Sequence, residues 1–241
     1  MEPLKPYKKS FEHSYTLGAF PTIELIKSKP EVVKSVYIHS TYTDKETVLE
    51  LCKKEEIPVV TNDKVFNRIS DKENCFVIGV FDKFECKLEK NRPHIVLVNP
   101  SNMGNVGTII RTAVGLGIYD IACITPCADL FNPKTVRSSM GALFRMRHTY
   151  YESFQDYMNE YGNHDIFTFM LKGTKTLEIQ DGPKSKLFSL VFGNEATGLD
   201  DSFLDIGTSI IIPQSEDVDS LNVTIAVGIG AFVFMNQGKD A

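Results

Sequence analysis

The sequence has no hydrophobic run long enough to cross a bilayer. Its longest nearly apolar stretch, Val223 to Met235, covers 13 residues and is interrupted by Thr224, Gly228 and Gly230. That is too short to span the hydrocarbon and reads as a buried helix. Low-complexity tracts are absent, and 42% hydrophobic against 24% charged residues exclude a disordered chain. The opening residues Met1-Glu2-Pro3-Leu4-Lys5-Pro6 lack the apolar core of a signal peptide. Five cysteines (Cys52, Cys75, Cys86, Cys123, Cys127), odd in number, point to reduced thiols and a cytoplasmic protein. Cys123 and Cys127 have no second pair and no nearby His to complete four ligands, so no metal is expected.

Common catalytic signatures are missing too. No G-x-G-x-x-G follows a strand pattern, and no G-x-x-x-x-G-K-[ST] loop is present, which excludes the usual nucleotide-cradling loops. There is no H-E-x-x-H and no G-x-S-x-G. The five His (13, 39, 94, 148, 164) lie outside the polar clusters described below, so a His general base has no evident seat. Positive charge is also scarce overall: 26 Lys+Arg against 31 Asp+Glu give a formal charge of −5, the wrong sign for indiscriminate polyanion binding. Its distribution is uneven. Leu130 to Thr149 carries Lys134, Arg137, Arg145, Arg147 and His148 with no acid, a local patch able to engage a few phosphates or simply a solvated basic face.

What is present reads as two α/β units, residues 1–90 and 91–241. In the first, Val33–His39, Ile57–Val60 and Phe76–Phe81 are strand candidates. Asp44 is expected to cap a helix bearing Val48, Leu51 and Cys52 on one face, and Asp63–Ile69 is a short helix. The charged, non-periodic stretch Lys83–Pro93 reads as a linker. Beyond it, Ile95–Val98, Ile121–Ile124, Ile166–Met170, Leu187–Phe192 and Ile210–Ile212 are short, continuous and β-branched, as expected of a parallel sheet buried on both faces. Ser220–Met235 is the closing helix.

Three polar clusters follow strand candidates, where open parallel sheets bind ligands. They are Asn99–Ala113, Gly193–Leu199 and Pro213–Val223. Each alone is explained by turns and helix caps; three at successive strand ends are less easily dismissed.

At these clusters the sequence closely resembles the SpoU (TrmH-like) family of RNA ribose 2′-O-methyltransferases, within the SPOUT superfamily. The family's N-x-G-x-x-x-R is matched by Asn105-Val106-Gly107-Thr108-Ile109-Ile110-Arg111, and G-N-E-x-x-G-L by Gly193–Leu199. The third motif corresponds to Ile212-Pro213-Gln214 and Ser220-Leu221-Asn222-Val223-Thr224-Ile225-Ala226, with Gln214 for the family Met and Thr224 for Ser. Val136–Leu143 is a further family-like segment. The resemblance covers about residues 93–237, and residues 11–90 look more loosely like the family's small RNA-recognising domain.

The resemblance implies a parallel-sheet methyltransferase domain with a C-terminal trefoil knot, preceded by a small α/β RNA-binding domain. It implies S-adenosylmethionine as cofactor, held by Gly193, Asn194, Ile212, Gln214 and Leu221, with Leu171 and Gly173 as further candidates. It implies rRNA or tRNA as partner, rRNA favoured, and a homodimer without membrane or metal. Arg111, Asn105, Glu195, Asn222 and Ser220 fall at catalytic positions. Because a guanidinium keeps its proton, Arg111 is read as gripping phosphate and hydrogen-bonding the 2′-oxygen, with Glu195 as its charged partner. Asn105 and Asn222 would position ribose, and Ser220 would assist or cap the last helix. Arg111, Lys134, Arg137, Arg145 and Arg147 are the expected RNA contacts. Residues 93–241 are expected to hold the cofactor without the first domain. The rival reading is an RNA-binding or assembly protein that keeps the fold without catalysis.

Overall fold

A computed structural model describes residues 4–70, 74–178 and 186–236. The chain divides into two compact units, Met1–Phe84 with Asp129–Arg145, and Glu85–Ala128 with Met146–Ala241.

The first unit is built on a four-stranded sheet. Its strands are β1 (His13–Leu17), β2 (Val33–Ile38), β3 (Val59–Thr61) and β4 (Val77–Asp82), and its helices α1 (Ala19–Ser28), α2 (Glu46–Lys54) and α3 (Phe66–Ile69). The order is β1-β4-β2-β3, with β4 antiparallel to both neighbours and β2 parallel to β3. The cap of α2 is Lys45, without a side-chain hydrogen bond, so Asp44 stands one residue outside the expected role. β1 and α1 precede the first strand expected from sequence. Polar Ser14 and Thr16 conceal β1, yet both are fully buried and satisfied. Ser14 Oγ donates to the Phe131 carbonyl, while Thr16 Oγ1 lies 2.7 Å from Thr22 Oγ1 and accepts from the Gly79 amide. A buried hydroxyl with a partner costs little, and without one would be strongly unfavourable.

The boundary differs from the expected one at 90/91. Residues 129–145, including α5 (Pro133–Ser138), leave the second unit's sequence and fold into the first. Tyr7 donates to the Asp129 carboxylate, Phe131 packs against Phe81 and Phe84, and Phe144 meets Phe81 edge-on at 5.2 Å. Val136 and Leu143 are completely buried. A cut at residue 90 therefore strips this segment of the rings it packs on, and residues 93–241 do not form an uninterrupted domain. The first crossing between the units, Phe84 to Glu85, falls within the expected linker Lys83–Pro93, which is anchored to the second unit. Leu88 sinks into the second unit's core with Val96, Tyr157 and Tyr161, and the Cys86 carbonyl accepts from Thr149 Oγ1 at 3.0 Å.

The second unit contains β5 (His94–Val98), α4 (Met103–Gly115), β6 (Asp120–Ile124), β7 (Arg147–Tyr151), α6 (Phe154–Tyr161), β8 (Asp165–Phe169), β9 (Lys175–Thr176), β10 (Phe188–Phe192), β11 (Thr208–Ile211) and α7 (Val223–Asn236). Every pairing in its sheet, order β7-β6-β5-β10-β8-β11-β9, is parallel. β5, β6 and β10 are almost wholly buried, which explains their unbroken apolar runs. β10 returns to lie between β5 and β8, and β11 passes beyond β8. The expected trefoil knot depends on the path of residues 179–185, which lie outside the described residues.

A buried polar belt lines the starts of these strands. Asp120, fully buried, accepts two hydrogen bonds from Arg147 at 2.7 and 2.6 Å, and Arg147 also pairs with Glu89 at 3.0 Å. Next to it, His94 Nδ1 is 2.9 Å from Tyr157 Oη, Tyr157 Oη is 2.5 Å from Ser189 Oγ, and Ser189 Oγ is 2.9 Å from His164 Nδ1. Both imidazoles bond backbone carbonyls through Nε2, at Glu89 and Lys90. Burial holds both rings neutral, pushing His94 down to about 4 and lowering His164. Because the unfolded chain binds these protons near pH 6.5 and the folded chain does not, stability is lost as pH falls below that value. Denaturant midpoints measured from pH 7 to pH 4 should fall by an amount equivalent to on the order of 2 kcal/mol, and His94→Gln should flatten the decline.

Candidate active site

The carboxyl end of β5 leads into Asn99, whose φ of +53° turns the chain toward α4. Asn102 caps that helix: its Oδ1 accepts from the amides of Gly104 and Asn105 at 2.9 and 3.1 Å. An Asn directly before an apolar helical run is a sequence-readable cap signal. The loop after β10 is fastened onto the same turn. Glu195 Oε2 accepts from the Ser101 amide at 3.0 Å and the Ser101 hydroxyl at 2.9 Å, and Oε1 accepts from the Asn102 amide at 2.9 Å. Burial works against its charge, but these donors prevail and hold the carboxyl below its ordinary value. Asn194 adds a bond from Nδ2 to the Asn99 carbonyl at 2.8 Å, and its Oδ1 accepts from Ala196 and Thr197.

Glu195 is therefore not the partner of Arg111. Arg111 is an exposed residue of α4 with no hydrogen bond or ion pair among the described residues. It stands nine residues beyond Asn102, about 13 Å along a helix rising about 1.5 Å per residue. Glu195 instead satisfies amides that a helix start leaves without partners.

Beside this junction lies a cavity of about 320 Å3. Among the expected cofactor residues, Leu171, Gly193, Asn194, Ile212, Gln214 and Leu221 line it, together with Glu195 and Ser220. Sequence reasoning did not single out Phe169, Phe192 or Ala226, which add apolar wall, or the Lys172–Asp201 ion pair (2.9 Å) at its edge. Gly173 is absent from the lining. A Cβ there would strike the backbone of Ile210 and Ile211, so its role is close passage against β11. Gly193 follows the same logic: a Cβ would collide with the backbone of Gly198 and Leu199, so the glycine is needed by its own loop, before any ligand is considered.

The third cluster leads into α7. Asn222 Oδ1 accepts from the Thr224 amide at 2.8 Å and the Thr224 hydroxyl at 2.7 Å, so Asn222 rather than Ser220 caps this helix, and Thr224 keeps the hydroxyl function of the family Ser. Its Nδ2, like the Asn105 side chain, has no partner among the described residues. α7 packs along α4 with Gly228 opposite Thr112 and Met235 opposite Gly117, so the two helices run in the same direction. That register brings Asn105 and Asn222, at the two helix starts, to the same end of the pair. Asn105, Arg111 and Asn222 do not line the cavity itself.

The expected basic patch is divided. Lys134, Arg137 and Arg145 belong to the first unit and Arg147 to the second. Arg145 is paired with Glu24 at 2.6 Å. Arg147 is the counter-ion of buried Asp120 and leaves the set of RNA contacts, because a charge removed from water needs its partner.

A profile of the SpoU rRNA Methylase family matches residues 92–232. The chain belongs to this family. A 23S rRNA (guanosine(2553)-2′-O)-methyltransferase of Bacillus subtilis is 30% identical over 146 residues, covering 60% of this chain and 58% of that protein. An uncharacterized tRNA/rRNA methyltransferase of Synechocystis is 32% identical over 138 residues, or 56% and 50%. The chain thus spans between half and three-fifths of the length of these relatives. The crystal structure of an AdoMet-bound rRNA methyltransferase from Sinorhizobium meliloti matches with a TM-score of 0.77 at 25% identity, over 93% of this chain and 87% of that one. The SpoU methyltransferase AviRb of Streptomyces viridochromogenes shares the fold, with a TM-score of 0.81 at 18% identity over 93% and 90%.

In this SpoU-family chain, Glu195→Ala leaves two amides without their acceptor and should cost about 1–3 kcal/mol of unfolding free energy. Glu195→Gln, which turns an amide group toward N–H donors, should lose nearly as much. Urea unfolding of both variants checks this; wild-type stability in either would dismiss the tie.

Proposed function

We propose that this protein transfers a methyl group from S-adenosylmethionine to a ribose 2′-hydroxyl of structured RNA, rRNA in preference to tRNA. The observation that carries this reading is the cavity at the carboxyl ends of β8, β10 and β11, lined by residues of the second and third family motifs and braced through Glu195 on the turn that opens α4, just ahead of the first. Its volume lies at the lower end of the range for small-molecule sites, and its walls combine apolar side chains with a few polar groups. The AdoMet-bound relative from Sinorhizobium supports the same ligand.

Bound S-adenosylmethionine would supply a sulfonium-borne methyl group. The chain's own residues would place the acceptor. Arg111, a guanidinium on α4 without a partner among the described residues, grips an RNA phosphate and donates to the 2′-oxygen as negative charge develops there. The hydroxyl proton passes to a phosphate oxygen or water. Asn105 and the free Nδ2 of Asn222, at the common end of α4 and α7, hold the ribose. Ser220 lies at the cavity and adds a hydroxyl. Lys134 and Arg137 contribute sequence-independent phosphate contacts from the first unit, which serves as the RNA-selecting part.

S-adenosylmethionine and S-adenosylhomocysteine should each raise Tm by mass action. Labelled S-adenosylmethionine with total RNA should yield a modified ribose, and Arg111→Ala should keep the thermal shift but lose methylation. No shift with either compound would sink the reading, and undiminished turnover in the variant would remove Arg111 from the mechanism.

A homodimer through α7 belongs to the same proposal. Ile225 and Phe232 are 52% and 54% exposed, and with Ile229 they form one stripe at helical spacing. Exposed apolar stripes of this kind mark interaction surfaces, and a second copy of the same helix would cover it. Light scattering at micromolar concentration should give about twice the 27.1 kDa chain mass. Phe232→Glu should shift the mass to that of one chain; a wild-type monomer with full activity would refute the dimer.

A further inference from the structure

We infer that the first unit carries a second RNA-binding surface, at the end of its sheet where β1 begins. It rests on the reading that the substrate is RNA. Along β1, alternate residues share a face, and continuing that period backward gives a row of three rings: Tyr15, His13 and Phe11. Tyr15 is fully buried in the core with Tyr37, Ile78 and Val80. His13 meets Tyr15 edge-on at 5.4 Å and stacks on Phe11 at 5.1 Å with planes 22° apart. The row therefore runs from the core to the surface, and both Phe11 and His13 are only part-buried. Leu4 and Tyr7 pack on the cluster that holds Tyr15, whereas Phe11 and His13 keep part of their surface in solvent.

Cations surround this end. Phe11 closes a turn through its amide to the Lys8 carbonyl at 2.9 Å, which puts exposed Lys8 and Lys9 at the tip. Lys83 donates to the Lys9 carbonyl at 2.8 Å and lies 5.0 Å from the centre of the Tyr7 ring, so the turn is fixed to the end of β4. Lys34, across the sheet, pairs with Asp82 at 3.0 Å. Glu12 and Asp82 are the acids at this end of the strands, with Asp82 paired to Lys34, and buried Asp129 accepts from Tyr7. Burial, with Lys34 and Lys83 adding to it, holds the His13 ring below its ordinary value, against the pull of Asp82. The ring pair therefore stays uncharged and planar at neutral pH, bordered by lysines.

A part-exposed ring pair bordered by cations matches the chemistry of a single-stranded nucleic acid, with a base stacked on a ring and phosphates on lysines. An acidic polypeptide would use the lysines and leave the rings idle. The occupant is an unpaired stretch of RNA lying across the start of β1, separate from the Arg111 site.

The test uses the full chain and a fluorescent RNA hairpin with a single-stranded uridine tail, titrated over a range of salt concentrations. Lys8→Gln with Lys9→Gln should reduce the slope of log affinity against log salt by about 1.5. Phe11→Leu, which keeps apolar bulk but removes the aromatic face, should weaken binding on the order of tenfold with the slope unchanged. The Tm rise with S-adenosylmethionine should persist in all variants, which separates this surface from the cofactor site. Unchanged affinity and slope in both variants would overturn the surface while leaving the proposed methyltransferase intact. Polyglutamate displacing the RNA as well as unlabelled RNA does would overturn it in favour of an acidic protein partner. A wild-type chain that binds no RNA would overturn both readings.

Discussion

Three hydrogen bonds to one carboxylate organise the candidate site. Glu195 sits on the loop after β10, and its acceptors are spent on the amides and hydroxyl that open α4. The α4 start is fixed in turn by Asn102, and α7 starts beside it under the Asn222 cap. Two helix starts and one loop are thereby held at the same end of the sheet, each by a polar side chain satisfying orphan backbone donors. The cavity exists because these elements cannot close further. Gly193 and Gly173 already bring backbone against backbone, leaving the remaining space to be walled by Leu171, Ile212 and Leu221.

The two ends of the parallel sheet do different work. At the carboxyl ends the polar groups face a cavity, as the geometry of open α/β sheets favours. At the opposite ends the polar groups are buried and answer one another: Arg147 to Asp120, and His94 through Tyr157 and Ser189 to His164. Such a belt is costly if any member lacks its partner, which ties Glu89 and Lys90 into the second unit through their backbones. The expected linker Lys83–Pro93 is thus anchored by buried Leu88 and by the carbonyls of Cys86, Glu89 and Lys90.

The segment 129–145 matters for how the protein is built. It carries Lys134, Arg137 and Arg145, and in chain order it falls between β6 and β7 of the second unit, yet its apolar side chains are buried in the first. The chain passes between the units three times, so neither is an independent module that one cut can release. The first unit is therefore covalently interleaved with the strands that build the methyltransferase-type sheet. Part-buried Phe11 with exposed Lys8 and Lys9 would place the proposed RNA surface in a part of the unit where no motif is visible.

Sequence alone determined the parallel sheet, because strands buried on both faces must be continuously apolar, and Ile95–Val98, Ile121–Ile124 and Leu187–Phe192 are. It also determined the family, because Asn105–Arg111, Gly193–Leu199 and Ser220–Ala226 keep order and spacing. It concealed β1 and β7, whose buried Ser14 and Thr16 and half-buried Arg147 look like surface residues until their partners are known. Partnership is a property of distant segments brought together, and no local pattern encodes it. For that reason only the tertiary structure decided that Glu195 binds Ser101 and Asn102 rather than Arg111. The same reason applies to Arg147, which neutralises Asp120 instead of meeting RNA, and to residues 129–145, which belong with the first unit.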